Sequence, residues 1–65
     1  MTSEEAKTAF YSESRVEHDN MVYNRISALI YRKIEGSGVS LTLELEDKSK
    51  NSVTIAMPDK VSIAN

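Results

Sequence analysis

Eight residues in the second half of the chain alternate without a break. Val39, Leu41, Leu43 and Leu45 fall on one face and Ser40, Thr42, Glu44 and Glu46 on the other. A two-residue period of this kind marks a strand with one buried and one solvated side, and it is the least ambiguous element in the sequence. Asp47-Lys48-Ser49-Lys50-Asn51 is a polar turn, after which Val53, Ile55 and Met57 resume the alternation around Thr54, so the two segments predict an antiparallel hairpin. Pro58-Asp59-Lys60 turns the chain again, with the proline blocking further pairing, and Val61 and Ile63 supply a short last strand.

The hairpin needs something to pack against, because two strands alone are marginal in water. At the start of the chain, Thr2-Ser3-Glu4-Glu5 fits a capping box. A helix is predicted from Ser3 to Tyr11, with Ala6, Ala9 and Phe10 forming a narrow apolar stripe and Glu4 and Glu5 at the positive end of its dipole. It is too short to persist by propensity and must dock on the strands. The 65 residues are read as a single domain, 1–65, with the helix at 3–11 and strands over 15–64. A chain of this length buries only about 60% of the surface its unfolded form exposes. It has no cysteine, so disulfides, thiolate zinc sites and thiol nucleophiles are excluded, and stability must come from packing or self-association.

Met21 to Ile34 supports two assignments. Val22, Ile26, Leu29, Ile30 and Ile34 lie on one helical face, with Gly36 as a C-cap. Equally, Val22, Ile26, Ala28, Ile30 and Ile34 alternate with Tyr23, Arg25, Ser27, Tyr31 and Lys33, following a hairpin turn at Asp19-Asn20. Periodicity leaves both open.

The runs Val16-Glu17-His18-Asp19-Asn20-Met21-Val22-Tyr23, Ile26-Ser27-Ala28-Leu29-Ile30-Tyr31-Arg32, Leu43-Glu44-Leu45-Glu46-Asp47-Lys48 and Asn51-Ser52-Val53-Thr54-Ile55-Ala56 with Pro58 carry a resemblance. Together with Glu4-Glu5-Ala6-Lys7, they are similar to small uncharacterised proteins of Gram-positive bacteria, often found among phage-like or conjugative elements. The resemblance covers nearly the whole chain and implies a helix followed by a small SH3-like antiparallel barrel, with 21–34 as one long bent strand. It brings no catalytic motif. It departs from the family pattern at Met21, where a glycine usually follows the asparagine of the first turn. The fold class expected is therefore mostly β with one N-terminal helix and an SH3-like barrel; two helices and one hairpin form the alternative.

Catalytic constellations are scarce. His18 is the single histidine, between Glu17 and Asp19, and one imidazole without a second His or a Cys is a poor transition-metal site. The serines lack a base held by a third group. Glu44 and Glu46 stand about 6.5 to 7 Å apart along one strand face, a separation shared by glycosidase carboxylates and by any solvated amphipathic strand. Gly36-Ser37-Gly38 is a turn and not a phosphate loop. No catalytic residue, metal ligand or cofactor is assigned.

Tyr23, Arg25, Tyr31 and Lys33, with Arg32 adjacent, form the strongest surface signal. All four lie on the odd face of the long strand, where aromatic and basic groups together stack bases or hold a peptide. The competing structural explanation is that the docked helix covers one or both tyrosines with Phe10 and Tyr11. A net charge of −2 disfavours nucleic acid, which is kept only as the alternative partner. Met1 to Thr8 shows neither a basic n-region nor an apolar h-region, and no stretch reads as membrane-spanning. The reading is a cytoplasmic, non-enzymatic protein-binding module, with a homodimer formed if the Val39–Glu46 strand leaves an open edge.

Overall fold

The computed structural model describes residues 1–64. One helix, α1 (Ser3–Ser12), is followed by β1 (Val16–His18), β2 (Met21–Tyr23), β3 (Arg25–Lys33), β4 (Val39–Glu46) and β5 (Val53–Ala56), then a 3₁₀ turn at Pro58–Lys60 and β6 (Ser62–Ile63). Every pairing is antiparallel. The strands make two three-stranded sheets, ordered β2-β1-β6 and β3-β4-β5.

The helix begins where its cap predicts. Thr2 Oγ1 accepts the Glu5 N–H at 3.1 Å, and Glu5 Oε1 accepts the Thr2 N–H at 2.7 Å, which satisfies two of the donors a helix start leaves free. The bond from the Thr2 backbone holds the Glu5 carboxyl below its ordinary pKa. The other end closes with Glu13 in the left-handed region at φ 55°, while the Ser14 N–H returns to the Ala9 carbonyl at 3.1 Å. Ala6 and Ala9 are buried. Small residues there let the helix approach β3 closely, and Phe10 packs partly buried at the margin of the core.

The stretch from Met21 to Ile34 is strand and not helix, but it is two strands. Asn24 interrupts it: its N–H bonds to the Glu46 carbonyl at 2.8 Å and its side-chain amide to Glu46 Oε1 at 2.8 Å. The chain leaves the small sheet at this residue and enters the larger one. The β1–β2 hairpin has Asp19 and Asn20 both at positive φ, 51° and 64°, with His18 opposite Met21. This is a two-residue turn of the primed type. Met21 already belongs to β2, so no glycine is needed after Asn20.

The expected closed barrel does not form. Among the described residues β3 and β5 each pair with β4 alone, and β2 and β6 each pair with β1 alone. β5 is four residues long and stops at Ala56, two residues before Pro58, while β6 has two residues. Neither is long enough to carry a ladder across to the other sheet. The alternating strand predicted to offer an open edge, β4, is instead the central strand of its sheet.

The core gathers Ala6 and Ala9 from the helix, Ile26, Leu41, Leu43, Leu45 and Ala56 from the larger sheet, and Val16 and Val61. From Tyr31 to Val39 every residue is exposed, so the β3–β4 hairpin runs on past this core. Gly36 and Gly38, at φ 97° and 89°, turn its tip as their freedom of φ allows.

Candidate functional site

A β-bulge decides where the four candidate residues lie. Arg25 pairs with Glu46 and Ile26 with Leu45, but Ala28, not Ser27, is opposite Glu44, and the register then continues through Leu29 with Leu43 and Tyr31 with Leu41 to Lys33 with Val39. Opposed residues share a face of the sheet. The extra residue at Ser27 therefore exchanges the faces: Arg25 lies on the outer side with Glu46, while Tyr31 and Lys33 lie on the side of the buried Leu41, Leu43 and Leu45. Tyr23 belongs to β2, in the other sheet, and packs partly buried against the core. The expectation that all four share one face is corrected by that single bulge and by the break at Asn24. Tyr23 is half-buried at the core margin, whereas Tyr31 remains 51% exposed and Tyr11, stacked edge-on against Phe10 at 5.1 Å, is exposed as well.

Arg25 has other partners than a ligand. Its Nη1 donates to Glu13 Oε1 at 2.6 Å, and its Nε and Nη2 both donate to Glu46 Oε2 at 3.2 Å. The guanidinium thus ties the end of α1 to β4. These bonds, Glu13 first and Glu46 second, raise the Arg25 pKa. The Asn24 amide is the main group lowering that of Glu46, against a smaller opposing effect of burial and with Arg25 assisting. A carboxylate whose pKa is lower in the folded state stabilises the fold above its unfolded pKa and loses that contribution as pH falls through the folded value. Stability should therefore fall on acidification below the usual carboxylate range of about 4.3. Glu46→Gln should flatten this dependence in urea titrations taken between neutral and strongly acid pH. Parallel acid limbs for wild type and variant would contradict the assignment.

The other polar candidates are local ties. His18 Nδ1 lies 2.9 Å from the Lys60 carbonyl and so carries the proton toward it, anchoring β1 to the 3₁₀ turn, while Nε2 is 3.4 Å from Asp19 Oδ2. Ser27 Oγ donates to the Glu44 carbonyl and to Glu44 Oε2, so the two strand glutamates are held by different partners. Among the described residues no three His, Asp or Glu side chains converge on a metal position. A groove of about 440 Å³ runs between α1 and β6, lined among others by Glu5, Ala9, Ser12 and Ile63. The Val61 carbonyl beside it already accepts from the Met1 nitrogen at 2.9 Å.

The sheet edge at β5 is different. The Asp47 N–H bonds to the Ser52 carbonyl at 3.0 Å, and the ladder pairs Glu46 with Val53, Leu45 with Thr54, Glu44 with Ile55 and Leu43 with Ala56. Hydrogen-bonded positions alternate along an antiparallel pair. Thr54 and Ala56 therefore direct their backbone groups to β4, and Val53 and Ile55 direct theirs away from it, to an edge with no further strand among the described residues. The same register sends Val53 and Ile55 to the outer face with Glu46 and Glu44. The apolar trio of the second alternating segment is accordingly open: Val53 is 50% exposed, Ile55 54% and Met57 49%. The inward positions go to Thr54 and Ala56.

Natural edges are guarded by charge, proline, bulges or a covering element. The β3 edge has such guards, with the Ser27 bulge, Arg32 and Lys33 along it and α1 packed against the strand. Val53-Thr54-Ile55-Ala56 contains no charge and no proline, and its pairing with β4 has no bulge. No protein-family model matches this chain, and no curated protein or solved structure matches it significantly. Among the described residues no helix is long and apolar enough to cross a membrane.

Proposed function

We propose that this protein is a non-enzymatic interaction module that takes up an extended segment of another chain as an added strand along β5. The observation carrying this reading is the unguarded edge at Val53–Ala56, where unpaired backbone groups and exposed apolar side chains occur together. Backbone bonds of this kind supply affinity, and side chains at alternate positions supply selectivity. The two sheets fit an opened form of the small SH3-like barrel, and the resemblance to small proteins of Gram-positive mobile elements fits an accessory role in the cytoplasm. An oligonucleotide surface has less support, since it needs Tyr23, Arg25, Tyr31 and Lys33 together.

Selection from a library of extended peptides tests the reading. Enriched sequences should alternate apolar residues, shift the amide resonances of Val53 and Ile55, and lose binding to Ile55→Pro, which removes an edge donor. Binders that shift only the α1–β6 groove or the β3–β4 hairpin tip, or no binders at all, would overturn it.

A further inference from the structure

Resting on that reading, we infer that the strand added at β5 is the β5 of a second copy, antiparallel and related by a two-fold axis through Thr54. Three features select this occupant. The edge is self-complementary, because Val53 and Ile55 each offer one N–H and one C=O outward. With Thr54 on the axis, Val53 of one copy meets Ile55 of the other twice, which forms four backbone hydrogen bonds and joins the two larger sheets into one of six strands. The side chains match as well: the two Val53–Ile55 pairs bring together the exposed β-branched residues of the outer face. Finally, the nearest charges beyond the strand are of opposite sign, Lys50 three residues before Val53 and Asp59 three residues after Ala56. Antiparallel pairing sets the lysine end of each copy beside the aspartate end of the other.

The competing self-association, β3 on β3, would bring together two bulged strands, each carrying Arg25, Arg32 and Lys33. A β3-on-β5 contact does not close on itself and would build fibres. The β5 pairing closes as a dimer. It buries less than about 1,000 Å² in total, so the dimer belongs to the weak, exchanging class.

Two sets of variants test the pairing in the full chain. Thr54 occupies a non-hydrogen-bonded position on the free edge, where opposed Cα atoms lie about 4.5 Å apart, within reach of a disulfide. The chain has no cysteine of its own. Thr54→Cys in oxidised glutathione should cross-link to a dimer, whereas Ser49→Cys in the exposed turn should not. Val53→Glu and Ile55→Lys should each weaken sedimentation-detected dimerisation by about tenfold or more. An equimolar mixture of the two variants should restore it, since the register sets the introduced carboxylate of one copy opposite the introduced ammonium of the other. A dimer that neither cross-links at position 54 nor is rescued by the charge pair uses another surface and overturns the inference. A chain that stays monomeric at millimolar concentration while peptides still add at β5 also overturns it, but leaves the strand-addition reading standing; failure of both removes both.

Discussion

Leu43→Ala is expected to remove a large share of the stability of the fold. Leu43 has no solvent exposure, lies in the central strand and pairs with Leu29 on one side and Ala56 on the other. Truncating a leucine in such a position costs about 2–5 kcal/mol, because the cavity cannot collapse onto neighbours held by two ladders. At roughly 0.05–0.15 kcal/mol per residue, a 65-residue chain has a total stability of only about 3–10 kcal/mol. The substitution removes half or more of it across much of that range. Thermal melts should show a midpoint lowered by about 4–8 °C for each kcal/mol lost. A melt within a few degrees of wild type would mean that Leu43 does not stand at the centre of the core.

The second large effect is a contrast between two deletions in β3. Removing Ser27 takes out the extra residue of the bulge, so Ile26 stays opposite Leu45, Ala28 opposite Glu44 and Leu29 opposite Leu43. The ladder becomes regular and every apolar residue keeps its face. The variant should fold with wild-type strand content, losing only the local bend and the Ser27 bonds to Glu44. Removing Ile30 has no such escape. Either Leu29 or the residues from Tyr31 to Lys33 must change faces, since a one-residue slip inverts the side chains that follow. That variant should lose cooperative unfolding in circular dichroism and fluorescence melts. Equal tolerance of both deletions would contradict the bulge assignment.

Much of the fold can be read from local signals. The capping box at Thr2–Glu5, the alternation of β4, the Asp19-Asn20 turn and the polar link after Glu46 each carry their own physical cause, and each occupies its predicted place. The helix runs only one residue past its expected end. What is not legible is the phase between strands. The bulge at Ser27 has a single sequence signal, a small polar residue inside an apolar run, and that signal is as compatible with regular alternation. Arg25 and Tyr31 consequently look like one surface in the sequence while lying on opposite faces in the fold. The exposure of Val53 and Ile55 is hidden for a similar reason. Apolar alternation shows that a strand has an apolar side, but not which way that side turns. The direction is fixed by the Asp47–Ser52 closing pair, through which Glu46 comes to face Val53. Asp47 organises this link by accepting from Ser49 and Ser52, bonds that hold its carboxyl below the ordinary range, Ser49 contributing most.

The edge also gives the lack of cysteine a physical counterpart. A small domain without disulfides or metal staples draws on packing and partners, and among the described residues one sheet ends in β5, whose outer edge has no strand beside it. The most direct measurement of this claim is backbone amide hydrogen exchange followed residue by residue as a function of protein concentration. In dilute solution the amides of Thr54 and Ala56, bonded to β4, should be protected while those of Val53 and Ile55 exchange freely; on concentration, Val53 and Ile55 should become protected as well, with Leu29 and Tyr31 on the β3 edge unchanged. Val53 and Ile55 protected in dilute monomer, or free at every concentration, would contradict it.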